Sequence, residues 1–482
     1  MDTPAFHPAM ILAILPEIGL IILAGLVLLA DLLFHRKKDR DLGLLTFGGL
    51  LAVAGVTLVY SRPDMVPVTV FGGALRQDWA TFVFRMIFLV GAAISVLFTM
   101  DTDRRIRSGA FYLLVIIATL GMSLMAAAAD LITLYLAIET TSIPLYVLSG
   151  SLVKDQKSTE AGVKYMLFGA FTSAIMLYGF SLLYGFTGTT NLYELKGLLE
   201  SGQISTVALV AVAMLVLAGF GFKISAVPFH FWAPDVYEGA PTPVAGYLST
   251  ASKAAGFAVL LRFLNVVFPD LYPAWLLVAL LSVATMIIGN VLALTQKNIK
   301  RLLAYSSIAQ AGYMLIGVAA ATELGNTAAI FYLISYLVTN LAAFGIIVVV
   351  GRSVGSDEIG AYAGLSRRSP GLALALLVAL LSLGGVPPFA GFIGKLFVFA
   401  AAVQADMIWL AIIGIINSVV ALYYYLVVLK VVWLNRSDDE EVKLPVTRPW
   451  RLAVVVCVAG MLLLGTIFAP WYQWALQAAT AF

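Results

Sequence analysis

Cysteine, histidine and charge are all scarce in this chain. One cysteine and three histidines stand among 482 residues. A single thiol, Cys457, cannot hold an iron–sulfur cluster or a zinc finger and cannot close an internal disulfide. Set in an apolar run, it reads as a small buried hydrophobe. His7, His35 and His230 are too far apart in sequence to suggest haem or copper. No metal or cofactor is therefore expected on this chain. Asp, Glu, Lys and Arg together make 11% of the residues, so nothing points to nucleic acid as a partner. No GxxxxGK[ST] stretch occurs, which excludes a pump driven by its own ATP hydrolysis. The first apolar run, from near Ala9, follows Asp2 and no basic residue; a signal peptide needs a basic start, and none is expected.

What the chain has is apolar length. It is 61% hydrophobic, far from any soluble domain. At about 20 residues per crossing, the apolar runs give about fourteen spans. Their approximate limits are 10–34, 42–60, 77–100, 109–128, 131–152, 160–187, 204–238, 243–268, 273–295, 299–320, 325–350, 371–404, 407–434 and 450–472. Basic residues fall after the odd-numbered spans: Arg36, Lys37, Lys38 and Arg40, then Arg104, Arg105 and Arg107, then Lys154 and Lys157. The alternation continues with Lys297, Lys300 and Arg301, with Arg352, Arg367 and Arg368, and with Arg436, Lys443, Arg448 and Arg451. The other connections hold little beyond Arg62 and Lys196. The positive-inside rule then puts both termini on the outer face, the periplasmic one in a bacterium.

Four charges lie deep inside these runs: Glu139, Lys223, Lys253 and Lys395. Each costs on the order of 3 kcal/mol at the bilayer centre, and the default use of such a group is an ion or proton path. Two spans are too long and are interrupted, by Val227-Pro228-Phe229 and by Gly384-Gly385-Val386-Pro387-Pro388. Proline removes a helical hydrogen bond, and the freed backbone is tolerated in lipid only inside protein or beside a wet cavity. Paired interruptions point to a transport site; a plain kink is the other reading. Superimposing the two breaks aligns the seventh span with the twelfth, five spans later. An odd-numbered repeat ends on the opposite face, so the second copy runs upside down. This divides the chain into 1–108 (spans one to three), 109–268 (first repeat), 269–434 (inverted repeat) and 435–482 (a loop and the last span).

The run from Lys223 to Val244, KISAVPFHFWAPDVYEGAPTPV, resembles a signature of the antiporter-like subunits of respiratory complex I. The stretch Lys297–Met314 is similar to their second motif, and Gly385–Lys395 extends the match. The resemblance covers spans four to thirteen. It implies an all-α membrane protein of fourteen helices, with two inverted five-helix repeats that each contain a broken helix. It also implies proton translocation driven by quinone reduction elsewhere. Three types exist, L, M and N. The L type continues into a long lateral helix past the point where this chain reaches Phe482, and the M type carries Glu where Lys395 stands. The N type, subunit 2 in mitochondria, is the one the chain most resembles. Multi-component sodium/proton antiporters and membrane-bound hydrogenases hold the alternative members. Sodium would call for a carboxylate cluster, and only Glu139 is central.

By that resemblance Glu139 pairs with Lys164 on the sixth span and modulates Lys223. Burial disfavours an ammonium and a nearby carboxylate favours it, so a movable carboxylate makes Lys223 a proton switch. Lys253 passes the proton on and Lys395 releases it. Accessory groups are His230, Tyr305, Ser306 and Gln310, with Ser225, Ser249, Thr250, Ser252, Ser307 and Tyr336 around them; packing hydrogen bonds are the other reading of each. Asp235 and Glu238 lie near the cytoplasmic mouth, where they gather protons, meet a neighbouring subunit or merely end a helix in water. Arg262 and Lys430 are expected to snorkel, and Arg85 has no assigned role. The resemblance implies other complex I membrane subunits, antiporter-like and small, as partners, beside membrane lipids. NADH, FMN, iron–sulfur clusters and quinone fall to partner subunits. The bacterial inner membrane is the expected location.

Overall fold

The computed structural model describes residues 8–34, 39–64, 66–100, 102, 108–199, 204–437 and 443–482. His7, His35, Arg36, Lys37, Lys38, Arg104, Arg105 and Arg107 lie outside them. Among the described residues thirteen helices are long and apolar enough to cross a membrane. The interrupted twelfth span supplies the remaining crossing as two shorter apolar helices, Pro370–Gly384 and Ala390–Gln404. The chain is thus a multi-pass, all-α membrane protein.

Where the spans start, side chains close the free backbone N–H groups that lipid would leave unpaired. Asp78 accepts from the Thr81 N–H at 2.8 Å before Trp79–Thr99. Asp130, Asp155, Ser205, Asn298 and Thr322 cap the fifth, sixth, seventh, tenth and eleventh spans in the same way. The eighth span (Thr242–Val267) and the tenth (Ile299–Ala319) are enclosed on all sides by other helices, whereas the first, Leu15–Phe34, turns most of its surface outward. The thirteenth, Ile408–Leu434, shows a ridge of exposed apolar residues that includes Ile412, Ile416, Val419 and Tyr423.

The two interruptions share one local geometry. Thr206–Ile224 ends at Ser225, whose φ of 60° is left-handed. Its N–H bonds the Phe222 carbonyl at 3.1 Å, and the Ala226 N–H bonds Gly221 at 2.7 Å. Pro370–Gly384 ends at Gly385 with φ 83°; its N–H bonds Ser382 and the Val386 N–H bonds Leu381, both at 3.0 Å. This double closure is the Schellman arrangement that terminates helices. The chain resumes as Trp232–Gly239 in one case and as Ala390–Gln404 in the other.

Three features depart from the apolar-run reading. The last span ends earlier than 472: Arg448–Thr466 is the span and a separate short helix, Ala469–Ala479, follows, Pro470 having no N–H with which to continue the first helix. A short hairpin pairs Val68–Val70 with Leu75–Gln77, and Leu192–Leu199 forms a helix between the sixth and seventh spans. The eighth span widens into a π-turn, Leu248–Ser252, immediately before Lys253.

Candidate functional site: a row of buried lysines

Lys223, Lys253 and Lys395 are only 7%, 1% and 4% exposed, and none has a carboxylate partner among the described residues. Each is held instead by neutral oxygens. Lys223, in the last turn before the first break, donates to the hydroxyl of Ser142 on the fifth span. Lys253 donates to both the carbonyl and the hydroxyl of Ser307, at 2.7 Å each. Lys395, on the second half of the twelfth span, reaches back 3.1 Å to the Gly384 carbonyl that the break leaves free. Its ammonium thus sits at the negative end of the first half-helix, with the Tyr313 ring 4.6 Å below.

Between Lys253 and Lys395 runs a chain of polar side chains. The Ser306 and Tyr425 hydroxyls are 2.5 Å apart. The Gln310 amide N–H donates to the Leu383 carbonyl at 3.0 Å and to Tyr425 at 3.4 Å, while the Tyr332 hydroxyl donates to the Gln310 oxygen at 2.5 Å. Around this axis Ser335 Oγ and Asn340 Oδ1 are buried without a protein partner. Ordered water is the usual partner of such groups. Sequence reasoning missed Ser142, Tyr332 and Tyr425. The only signal was a tyrosine on an apolar helix, whose hydroxyl needs a partner once buried.

Glu139 and Lys164 do not meet. Glu139, half-buried on the fifth span (Leu131–Ser149), accepts from the Ser173 hydroxyl on the sixth (Gln156–Thr187). Lys164 lies nine residues before Ser173 on that helix, roughly 13 Å along its axis and beyond the reach of a lysine. It pairs with Glu160 and Asp235 instead, at 2.6 Å each. Asp235 also takes Arg301 at 2.6 Å, and Glu238 binds Arg301 at 3.1 Å and Lys157 at 2.8 Å. This lattice borders an open pocket of about 340 Å³, whose wall includes His230 and Tyr305. His230 is buried with its Nδ1 unpartnered. His230 and Tyr305 therefore belong to the mouth with Lys164, whereas Ser306 and Gln310 belong to the interior.

Two buried arginines find partners that the sequence did not indicate. Arg262 does not snorkel: it is buried and grips both oxygens of Asp78, at 2.7 and 2.8 Å, with Tyr193 at 2.5 Å. The carboxylate comes from the loop before the third span, which no pattern within the eighth span could reveal. Arg85 finds Glu17 at 2.8 Å, Gln77 at 2.6 Å and Ser123 at 3.1 Å. Lys430 is exposed as expected.

Residues 128–421 match the family described as NADH:quinone oxidoreductase/Mrp antiporter, TM. An NADH-quinone oxidoreductase subunit N of Heliobacterium modesticaldum is 44% identical over 95% of this chain and 96% of its own length. The subunit N of Trichlorobacter lovleyi is 44% identical over 96% of both chains. A chain of respiratory complex I from Thermus thermophilus superposes with a TM-score of 0.81 at 34% identity, covering 95% of this chain and 98% of that one. A chain of the Mrp complex from Dietzia gives 0.85 at 22% identity, over 98% and 97%, a likeness of fold alone.

Proposed function

The chain belongs to the NADH:quinone oxidoreductase/Mrp antiporter membrane family, and from that premise we propose that it is the N-type subunit of an NADH:quinone oxidoreductase, carrying protons across the membrane. The observation that carries this reading is the row of three buried lysines, each ligated by hydroxyls or carbonyls and by no carboxylate. A neutral lysine amine keeps a lone pair that takes a proton, and an ammonium keeps three donors that these oxygens accept. Both forms are accommodated without moving the backbone. Lys223 serves as the first acceptor, and Glu139 lies on the same span as Ser142, its partner. Lys253 and Lys395 pass the proton through the second half. Lys164 holds the mouth through Asp235, where His230 and Tyr305 face incoming water.

The shared closure of the two broken helices supports the division into inverted repeats over 109–268 and 269–434, flanked by 1–108 and 435–482. NADH, FMN, iron–sulfur centres and quinone belong to partner subunits, this chain binding none of them. The other membrane subunits of the complex cover its lateral faces. The subunit resides in a bacterial inner membrane with both termini periplasmic. The sodium/proton antiporter reading has only the Mrp likeness behind it.

The test is Lys223→Ala in the intact membrane complex. NADH-driven proton uptake into inverted vesicles is compared with NADH:quinone turnover and with assembly on a native gel. The expected outcome is normal assembly with proton uptake lost and turnover reduced. Full uptake with full turnover would remove Lys223 from the route and leave the broken helix as architecture.

A further inference from the structure

Gln310 stands where the polar chain between Lys253 and Lys395 changes character. It is 1% exposed on the enclosed tenth span. On one side Tyr425 contacts Ser306, the neighbour of the Ser307 that holds Lys253. On the other side the Tyr332 ring packs against Gly394, the residue before Lys395: a Cβ added there would meet it at 2.8 Å. The amide orientation is fixed by chemistry. Leu383 offers a carbonyl, which can only accept, so the Gln310 nitrogen faces it at 3.0 Å and the Gln310 oxygen faces Tyr332. The Tyr332 hydroxyl proton is thereby committed to Gln310.

A proton relay needs groups that donate and accept at the same atom. Hydroxyls, water and a neutral amine do so; an amide nitrogen only donates and its oxygen only accepts. A proton arriving at Tyr425 meets an amide N–H of Gln310, whose nitrogen offers no lone pair. The hydrogen bonds continue through Gln310, but proton transfer cannot.

Resting on the reading of Lys253 and Lys395 as one proton route, we propose that Gln310 is its gate, a positioning residue that blocks transfer between the two lysines until its amide turns out of line. Leu383 and Tyr332 hold the gate shut, and both border the break in the twelfth span. Movement at that break is therefore what would release it. No bond to carbon forms or breaks: a proton leaves one lysine nitrogen and arrives at the other.

The test uses the whole complex in liposomes, without NADH, under an imposed potassium diffusion potential, with passive proton conductance as the readout. Gln310→Ala, which admits water in place of the amide, is expected to raise conductance about tenfold, and Tyr332→Phe, which frees the amide oxygen, to raise it less. Lys395→Met added to Gln310→Ala should return conductance to the parent level. Parental conductance in assembled Gln310→Ala and Tyr332→Phe complexes overturns the gate, as does a leak that survives Lys395→Met. Should Gln310→Ala fail to assemble, Tyr332→Phe decides, since it deletes a single oxygen. Undiminished NADH-driven uptake in Lys395→Met alone would instead overturn the route itself.

Discussion

Two kinds of buried charge occupy this molecule. Arg262 and Arg85 are each locked to a carboxylate and to further hydrogen-bonding partners. Lys223, Lys253 and Lys395 are equally hidden yet rest on neutral oxygens alone. On the proposed route, the difference separates architecture from transport. A guanidinium keeps its proton in any protein environment, and its forked grip on a carboxylate fixes geometry. Such a pair ties helices together: Arg262 with Asp78 binds the eighth span to the start of the third, and Arg85 with Glu17 binds the third to the first. A lysine without a carboxylate is free to exist in either form, which a proton carrier must do. Asp78 stands just before the third span and Arg85 is that span's seventh residue, whereas Lys223 and Lys395 adjoin the broken helices and Lys253 follows the π-turn.

The sharpest way to break this distinction is to orphan one member of a pair. Arg262→Ala takes the two-pronged partner from the buried Asp78 carboxylate and leaves it Arg76 at 3.0 Å and the Thr81 N–H, at a cost of up to about 3 kcal/mol. The expected result is little or no assembled complex on a native gel. Arg262→Leu combined with Asp78→Asn should recover part of the assembly, because the Asn oxygen keeps the cap on the third span and no carboxylate is left buried without its main partner. Failure of the double variant to recover any would mean that the pair does more than hold helices. The lysines should respond in the opposite sense. Lys253→Met removes a charge with no countercharge to orphan, so assembly and thermal stability should stay close to the parent while NADH-driven proton uptake falls at least about tenfold. A Lys253→Met complex that pumps normally would place Lys253 among the architectural charges.

The lysines were legible in the sequence because a charge within an apolar run is conspicuous, and the breaks because proline and glycine mark them. Their surroundings were legible only in part. Ser307, which holds Lys253, stood among the polar candidates, but Ser142, Tyr332 and Tyr425 come from other spans, and no periodicity on the lysine's own helix reports which neighbour faces it. The arginines show the same limit from the other side. Snorkelling was a fair reading of Arg262 near a span end, but its partner is 184 residues away. The expected Glu139–Lys164 pair failed on axial distance. Both residues were placed on the right helices, and their relative height depends on how the fifth and sixth spans slide past each other, which side-chain patterning leaves open.

The smallest effect expected is one of pH, and it probes how firmly the Arg262–Asp78 pair is held. Asp78 stands just before the third span, 1% exposed. Burial alone pushes its carboxyl up, but the Arg262 guanidinium beside it, with the Thr81 N–H and hydroxyl, holds it below the usual carboxylate range. A carboxyl lowered on folding contributes stability that is present above the unfolded value, about 3.9, and is lost as pH falls through the lower folded one. The pair's contribution should therefore be flat from pH 8 to pH 5. Thermal midpoints of the solubilised parent complex and of Asp78→Asn should differ by a constant amount over that range and converge only below about pH 4. A difference that already narrows between pH 7 and pH 5 would mean that Arg262 does not keep Asp78 ionised. The Arg262–Asp78 pair would then titrate like the charges of the proposed route rather than stand apart from them.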